Sequence, residues 1–208
     1  TSTLYASFFL NPEKDGPIVL ELPPQLLGIF NDMWFRYVVD LGPAGPDKGK
    51  GGKYLILPPG YKGDIPDGYF VVKSPTNKIY SFVRASTAKG LPAGVALIKT
   101  MKIYTLAGKD NPTPIEWISG SNKYFSFIPP NDYSCYEDLN NLIQEENMTF
   151  LDAETRGLLA AIGIVKGKPF NPDARMKKIL TEAVAIGNAT VRSLMYSPRE
   201  KGYYFYPE

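Results

Sequence analysis

The residues best suited to chemistry surround one predicted strand: Asp32, Trp34, Arg36 and Asp40. On an extended strand Trp34 and Arg36 lie on one face, and both aspartates share that face if the strand is unbroken. Two carboxylates, an arginine and an aromatic ring are side chains that suit a sugar or a small carboxylate ligand. The alternative is that Trp34 belongs to the core and that the aspartates are turn residues beside the strand. Asp32, Trp34 and Arg36 are therefore candidate ligand-binding residues.

Arg84 is a further candidate, because it follows the apolar segment Ile79–Val83 in the sequence "IYSFVRAS". A cation at this position is either a residue at the rim of the fold or an inward clamp for a ligand. A lone buried charge is too costly, so an inward Arg84 needs a carboxylate partner. Asp32 is the partner that we expect.

The loop "GPDKGKGGK", residues 45–53, raises the question of phosphate binding. A Walker-type loop needs glycine, four residues, then Gly-Lys-Ser/Thr and a helix. Here Gly49-Lys50 comes one position early, and the predicted strand Tyr54–Leu57 follows. We predict a hairpin-type loop that binds no nucleotide. An anion site formed by the loop backbone with Lys48 and Lys50 is the alternative, so both lysines are ligand-binding candidates.

The chain has no histidine and a single cysteine, Cys135. This removes the commonest general base and transition-metal ligand, and it excludes a Ser-His-Asp or Cys-His mechanism built from this chain alone. A thiol near the start of a helix can have a lowered pKa, but an isolated cysteine is more typical of a small helix residue. We expect no metal site and no cofactor.

The composition is that of a globular protein, with 44% hydrophobic and 21% charged residues among 208. The net charge of +2 provides no field that would attract nucleic acid or an anionic membrane. No apolar run approaches the roughly 18 residues that span a bilayer. We therefore expect neither a nucleic-acid partner nor a membrane span.

Short apolar runs separated by turn residues predict a β-rich domain over residues 1–130. The predicted strands are Leu4–Leu10, Ile18–Leu22, Trp34–Val39, Tyr54–Leu57, Tyr69–Lys73, Ile79–Arg84 and Lys102–Leu106. A short helix is predicted over Ala93–Lys102. Over residues 131–208 the spacing of apolar residues becomes helical. The predicted fold class is α+β, with a β-sandwich or jelly-roll-like N-terminal part followed by a helical section.

Three helices are predicted in this second section. Ser134-Cys135-Tyr136-Glu137 matches a capping box, and Asp152 can cap a helix over Ala153–Ile162. A long helix is predicted from Asn171-Pro172, with proline at its first position. One apolar stripe of this helix is expected to be buried, and Gly187 in it suggests close approach of another backbone. The residues expected to be most buried are Ile179, Leu180, Ala183 and Gly187.

Two long segments resemble a known bacterial family, the domain of unknown function 1254. They are "NDMWFRYVVDLGPAGPDKGKGGKYLILPPGYKGDIPDGYFVVKSPT" and "LLAAIGIVKGKPFNPDARMKKILTEAVAIGNATVRSL". The resemblance covers nearly the whole chain and is weaker around residues 85–130. The positions that match the family pattern are Tyr5, Asp32, Trp34, Tyr54, Lys62, Ser74, Pro75, Thr76 and Arg84.

The resemblance implies a two-domain protein, in which the present domain precedes a second β-rich domain, the domain of unknown function 1214, absent from this chain. We expect the chain to be a piece of that longer protein, with its aromatic end Tyr203–Tyr206 covered by the second domain or by another subunit. Secretion signals in many members imply a periplasmic or secreted location. The resemblance implies no settled reaction.

The sequence thus favours an exported protein that binds a small polar or glycan-like ligand, with hydrolase-like chemistry as an open addition. The rival hypothesis is a structural or assembly protein whose aromatic and loop surfaces make homo-oligomer contacts without catalysis. A pocket with converging aspartate and arginine favours the first hypothesis, and a continuous apolar surface between subunits favours the second.

Overall fold

Apolar runs between turns give the first part of the chain eight β-strands, in a computed structural model that describes residues 3–124 and 128–197. The strands are β1 (Thr3–Leu10), β2 (Ile18–Leu22), β3 (Leu27–Asp32), β4 (Tyr37–Leu41), β5 (Gly52–Leu57), β6 (Phe70–Lys73), β7 (Ile79–Ser86) and β8 (Lys102–Thr105). Two short helices lie between strands, α1 (Pro12–Asp15) and α2 (Leu91–Ile98). The α+β class predicted from the sequence is confirmed.

The chain divides into two compact units, Thr1–Ser119 and Gly120–Glu208. All eight strands belong to the first of these. The domain boundary that the sequence places at residue 130 stays a prediction.

The strands form two four-stranded sheets. The first sheet has the order β1-β7-β3-β4, and the second has the order β6-β5-β2-β8. Neighbouring strands are antiparallel except β5 and β6, which are parallel. One cluster of buried side chains contains Phe30 and Val83 from the first sheet together with Leu20 and Tyr54 from the second. The two sheets therefore pack face to face as a sandwich with this cluster as its core.

Strand β3 is missing from the sequence prediction, and Gly28 explains the omission. Glycine inside a strand usually weakens it, so the segment does not read as a strand. In the structure a Cβ at position 28 would lie 2.5 Å from the Phe82 carbonyl oxygen of the neighbouring strand β7. The glycine is therefore required by the close approach of the two strands.

The strand predicted over residues 34–39 is wrong at its start. The chain turns sharply before it, because Phe35 N donates to Asp32 O and Asp32 N donates to Arg36 O, both at 2.9 Å. Phe35 has a φ angle of 61°, a left-handed conformation that is uncommon for a bulky residue. Trp34 and Arg36 therefore do not share one face of an extended strand, as the sequence suggested.

The outer face of the second sheet is covered by the chain itself. A second buried cluster lies there, formed by Val19, Leu55, Leu57 and Tyr104. Tyr61 and Tyr69, from the loop between β5 and β6, pack against this cluster. A loop of the same chain thus closes this apolar sheet face.

Glu21 lies on the same face and carries a shifted pKa. Tyr104 donates a 2.5 Å hydrogen bond to its carboxylate, and the ammonium groups of Lys53 and Lys102 lie 3.3 and 3.4 Å away. Partial burial raises the pKa of Glu21, but the Tyr104 hydrogen bond and the two lysines lower it more. The net result is a pKa below the ordinary value of 4.5.

We expect Glu21→Gln to reduce the free energy of unfolding at pH 7 by less than about 1 kcal/mol, because both lysine partners are more than half exposed and solvent screens the ion pairs. A lowered folded-state pKa stabilises the fold above the ordinary pKa, and this stabilisation is lost as pH falls through the folded value. The free energies of unfolding of the unchanged protein and of Glu21→Gln, measured in urea, should therefore differ at pH 7 and become equal below about pH 4. Glu13→Gln, at an exposed position in α1, is the control. If the difference in free energy of unfolding grew as the pH fell, the lowered pKa of Glu21 would be wrong.

The second unit contains three helices in its described part: α3 (Ser134–Glu145), α4 (Ala153–Ala161) and α5 (Ala174–Tyr196). Gln144 holds the segment after α4, since its Nε2 donates to Val165 O at 2.9 Å and its Oε1 accepts from Gly167 N at 2.8 Å. The buried apolar residues of this unit are Ile143, Leu151, Leu159, Ile164 and Leu180. Neither α5, at 23 residues, nor any other helix in these described ranges is long and apolar enough to cross a membrane.

The predicted helix starts are partly correct. Asp152 caps α4 as expected, accepting a 2.7 Å hydrogen bond from Thr155 N. The capping box at Ser134 is wrong, because Ser134 is already the first helical residue and Asp132 accepts from its backbone N–H at 2.9 Å. The proline start of α5 is also wrong by two residues. Asp173 provides the cap there, since its side chain accepts from the amide of the third helical residue at 2.7 Å.

The burial predicted for α5 is wrong for three of the four residues that were expected to be most buried. Leu180 is 2% exposed, but Ile179 is 41% exposed and Ala183 and Gly187 are also exposed. Apart from the surrounding turn of α5 itself, no heavy atom of the described chain lies within 4 Å of a Cβ built at Gly187, so no other backbone approaches it there. Apolar spacing identifies a helix face but does not show whether anything covers that face. The predicted aromatic contact of Tyr203–Tyr206 lies outside the described residues.

We expect Leu180→Ala to lower the free energy of unfolding by about 2–3 kcal/mol, the lower part of the range for a buried leucine. The lower part applies because exposed residues on both sides allow the site to collapse. Ile179→Ala, one position away and 41% exposed, should cost less than about 1 kcal/mol. Denaturant unfolding of both variants measures the difference. Equal losses would mean that the two side chains are buried alike.

Candidate functional site

The outer side of the first sheet carries an unusual concentration of aromatic side chains. Cross-strand register places Phe9, Tyr80, Asn31 and Tyr37 in one row across the four strands. The next rows contain Ser7 opposite Phe82 and Tyr5 opposite Arg84. We call the outward side chains of Tyr5, Phe9, Phe35, Tyr37, Tyr80 and Phe82 the aromatic face.

The rings of the aromatic face are close together and open to solvent. Tyr80 is central, with its ring centroid 5.0 Å from that of Phe9, 5.7 Å from that of Phe35 and 6.2 Å from that of Phe82. The four residues at the periphery are more than half exposed: Tyr5 57%, Phe9 62%, Phe35 69% and Tyr37 65%. Single exposed aromatics are ordinary on a protein surface, whereas a contiguous group marks a binding surface.

The turn between β3 and β4 places Phe35 on this face, and three predicted site residues build that turn. Asp32 is 1% exposed, and its carboxylate accepts from Trp34 N and Arg36 N, both at 2.9 Å. The same carboxylate forms a 2.7 Å ion pair with Arg36 Nε. Thr76 Oγ1 accepts from the amide of Met33 at 3.2 Å and ties the turn to the segment before β7. Asp32, Trp34 and Arg36 thus position Phe35.

Arg84 lies on the outer side of the sheet, which corrects the expected pairing with Asp32. Its neighbours Val83 and Ala85 are buried in the core, so the arginine between them points outward and is exposed. In the register, β3 pairs Leu27 with Arg84 and Asp32 with Ile79, which lies five residues before Arg84 in β7. At about 3.3 Å per residue this separates Asp32 and Arg84 by roughly 16 Å. Arg84 instead flanks the aromatic face beside Tyr5.

Polar groups lie among the rings. Ser7 Oγ donates a 2.9 Å hydrogen bond to the Tyr80 hydroxyl. Asn31, between Tyr80 and Tyr37, is 5% exposed, and its Oδ1 has no hydrogen-bond partner within the described ranges. A buried acceptor without a donor costs about 1–3 kcal/mol. The face therefore combines flat apolar rings with hydroxyl and amide groups, with the Asp40 carboxylate in the row of Phe82 and with the Arg84 cation at its end.

Lys48 and Lys50 lie in the loop between β4 and β5 of the first unit. Their loop is organised by Asp47, which is 3% exposed and accepts from Gly42 N at 2.8 Å, Gly51 N at 3.0 Å and the Tyr54 hydroxyl at 2.5 Å. Both lysines are exposed. The strand β5 follows the loop directly, as the sequence predicted, and no helix begins there.

Cys135 and the acidic residues are the remaining groups that could support nucleophilic chemistry or metal binding. Burial raises the pKa of the Cys135 thiol, and the charges of Asp132 and Asp138 raise it further, so the thiolate is disfavoured. No group of three or more Cys, Asp or Glu side chains within residues 3–124 and 128–197 is arranged to hold a metal ion.

Sequence reasoning missed most of the aromatic face, although a signal for it exists. Tyr5, Ser7 and Phe9 alternate with apolar residues along β1, and Tyr80, Phe82 and Arg84 alternate along β7 with residues that are apolar except Ser81. Alternation shows that the two faces of a strand differ. It does not show which face is the core when both carry apolar residues. Only the pairing of the two sheets identifies the aromatic side as the outer one.

Comparison with known proteins places the chain in a family. The family described as protein of unknown function (DUF1254) matches residues 1–105, just over half of the chain. The crystal structure of the VPA0106 protein from Vibrio parahaemolyticus is similar with a TM-score of 0.63 and 17% sequence identity, over 94% of this chain and 49% of that one. This likeness concerns the fold alone, and the present chain spans about half the length of that protein. No curated protein matches. The chain belongs to the DUF1254 family of proteins of unknown function.

Proposed function

We propose that the first unit binds a glycan-like ligand bearing a carboxylate, and that it does so on the aromatic face. The observation that supports this most is the exposure of four aromatic side chains on one sheet face around Tyr80. The corresponding face of the second sheet is closed by Tyr61 and Tyr69 of its own loop. The described residues therefore cover one outer face and leave the aromatic one accessible.

The chemistry of the face suits a sugar ring better than a purely apolar ligand. Aromatic rings offer flat apolar area to the C–H face of a sugar, and dispersion contacts over such an area are collectively large. The Tyr5, Tyr37 and Tyr80 hydroxyls can exchange hydrogen bonds with sugar hydroxyls. A ligand hydroxyl or a bridging water can donate to Asn31 Oδ1, which lacks a donor among the described residues.

Arg84 adds a preference for an acidic sugar. Its guanidinium is exposed beside Tyr5 at the end of the aromatic face, and no ion pair to it is found in the described part of the chain. A carboxylate on the ligand could form a bidentate, charge-assisted pair with it. Asp32 is occupied by the turn and its ion pair with Arg36, so we do not extend the proposal to hydrolysis.

The experiment is calorimetric titration with a short oligomer of galacturonic acid and with its methyl ester, which removes the charge but keeps the ring. Arg84→Gln should weaken binding of the acid about 10–100-fold and leave binding of the ester nearly unchanged. Phe35→Ala should weaken both by about 3–10-fold or more, because it removes a stacking ring. Tyr124→Ala, which removes a 94% exposed aromatic ring outside this face, is the control. Absence of binding, or equal effects of all three variants, would overturn the proposal.

A second candidate function is assembly, and α5 carries the observation that favours it. Apolar residues of this helix are exposed over its length: Ile179, Ile186, Val191, Leu194 and Met195. Ile179 and Ile186 are seven residues apart, which is the spacing of self-pairing helices. Light scattering of the chain and of Ile186→Glu tests this hypothesis. A monomer in both cases would remove the support for homo-oligomer formation through α5.

The remaining expectations stay proposals. Export to the periplasm or beyond, and the presence of a second β-rich domain in the same polypeptide, rest on the family resemblance. An exported location would bring the aromatic face into contact with extracellular glycans. Titration of the intact polypeptide alongside residues 1–208 would show whether a second domain completes the binding surface or covers it.

A further inference from the structure

We propose that the aromatic face selects a glycan in which an amino sugar is linked to an acidic sugar, with Asp40 binding the amine and Arg84 binding the carboxylate. This inference rests on the glycan binding proposed above, and it adds a second, cationic group to the ligand. The sequence places two aspartates beside this region. Asp32 is occupied by its turn and its ion pair, so Asp40 is the carboxylate that remains.

The Asp40 side chain lies on the outer side of the first sheet. Its neighbours in β4, Val39 and Leu41, pack in the sandwich core, so the carboxylate between them points outward. The register places Asp40 opposite Ile29, in the row of Phe82. Asp40 is half-buried, and no hydrogen bond or ion pair to its carboxylate is found within residues 3–124 and 128–197. The carboxylate is therefore available to a ligand on the aromatic face.

The backbone of Asp40 is held on two sides. It pairs with Ile29 in the sheet, and a Cβ at Gly45 would lie 2.3 Å from the Asp40 carbonyl oxygen. The loop after β4 thus packs directly against the strand at this point. Aspartate is also one of the residue types that strands disfavour. A fixed carboxylate of this kind in a strand favours a role in binding over a role in folding.

A second acceptor lies beside Asp40. Asn31 is two residues beyond Ile29 in β3, on the diagonal from Asp40, at roughly 7–8 Å between Cα atoms. Its Oδ1 is buried and has no donor among the described residues. An ammonium group carries three N–H donors, so one amine can satisfy both acceptors. An acetylated amine carries a single N–H and no charge, so it cannot replace the free amine at this pair.

Arg84 lies at the far side of the same face. Strand β3 separates β7 from β4, and Leu27 of β3 lies opposite Arg84. Asp40 lies opposite Ile29, two residues further along β3. At about 4.8 Å between strands and 3.3 Å per residue, the Cα atoms of Asp40 and Arg84 are roughly 12 Å apart. This separation is wider than one sugar ring, so the amine and the carboxylate belong to neighbouring sugars of one ligand.

The test is calorimetric titration, in mildly acidic buffer, with a short oligomer of alternating glucuronic acid and glucosamine. Its N-acetylated form, which loses the charge of the amine but keeps both rings, is the comparison ligand. We expect the free amine to give about 10–100-fold tighter binding, because its hydrogen bond to Asp40 is charge-assisted. Asp40→Asn should lower the affinity for the free-amine oligomer to that of the acetylated one. Asp67→Asn, at an exposed position between β5 and β6, is the control and should keep the full preference.

Arg84→Gln separates the two charges, since it should weaken both oligomers by the same factor and leave the preference for the amine. Thermal unfolding of each variant establishes that it is folded. Equal affinity of the two oligomers, or a preference for the amine that survives in Asp40→Asn, would overturn this inference. If the galacturonic acid oligomer still binds in that case, the proposed function stands. If no acidic oligomer binds, the proposed function fails and this inference fails with it.

Discussion

Replacing Asp47 by alanine is expected to reduce the free energy of unfolding by about 4–6 kcal/mol, the largest effect of any single side chain considered for this protein. The carboxylate is buried and accepts three hydrogen bonds, from Gly42 N, Gly51 N and the Tyr54 hydroxyl. Alanine leaves three donors without an acceptor, and each unsatisfied buried donor costs about 1–3 kcal/mol. A loss of this size is a large fraction of the free energy of unfolding of an ordinary domain.

The loop cannot relax easily around the missing carboxylate. Gly51 has a φ angle of 74°, and a Cβ there would lie 2.5 Å from the Leu22 carbonyl oxygen. The backbone therefore has little room to move its amide toward another acceptor. Burial raises the pKa of Tyr54 well above its ordinary value, and the hydrogen bond and charge of Asp47 raise it further. The tyrosine thus stays protonated and keeps donating.

Two matched variants separate the role of Asp47 from that of its loop. Lys50→Ala changes an exposed residue of the same loop and should alter the free energy of unfolding by less than about 0.5 kcal/mol. Tyr54→Phe removes only one donor and should cost about 1–2 kcal/mol. Denaturant unfolding measures all three variants. If Asp47→Ala and Lys50→Ala cost the same, the carboxylate does not organise the loop.

This loop shows what the sequence could and could not provide. Glycine and lysine content with a following strand was enough to reject a nucleotide motif, because that motif depends on local spacing. The role of Asp47 was not visible, since its partners Gly42 and Tyr54 are brought to it by the loop conformation. Hydrogen bonds of this kind depend on backbone positions that composition does not specify.

The β3–β4 region shows the same limit at the candidate site. The sequence identified Asp32, Trp34 and Arg36 as candidate ligand-binding residues on one strand face. The structure does bring them together, but they form a turn and not a strand face. The positive φ angle of Phe35 is what makes this segment a turn and not an extended strand. Nothing in local propensity favours that conformation for phenylalanine. It is held by the Asp32 carboxylate, and the aromatic face depends on it.

We therefore expect Asp32→Ala to lower the free energy of unfolding by about 3–5 kcal/mol and to abolish ligand binding on the aromatic face. The carboxylate is 1% exposed and holds two backbone amides and the Arg36 side chain. Its removal leaves Trp34 N and Arg36 N without this acceptor, at about 1–3 kcal/mol each. The left-handed conformation of Phe35 costs about 1–2 kcal/mol and persists only where the surroundings impose it.

Phe35→Gly and Arg36→Ala distinguish the stability of the turn from its role in binding. Glycine tolerates the left-handed conformation, so Phe35→Gly should change the free energy of unfolding by no more than about 1 kcal/mol yet weaken glycan binding as strongly as Phe35→Ala. Arg36→Ala removes one half-exposed partner and should cost about 1 kcal/mol, because the two backbone donors still satisfy Asp32. Unfolding and titration of the three variants measure these effects. If Asp32→Ala binds the acidic oligomer normally, Phe35 does not need the turn, and the aromatic face is not organised by it.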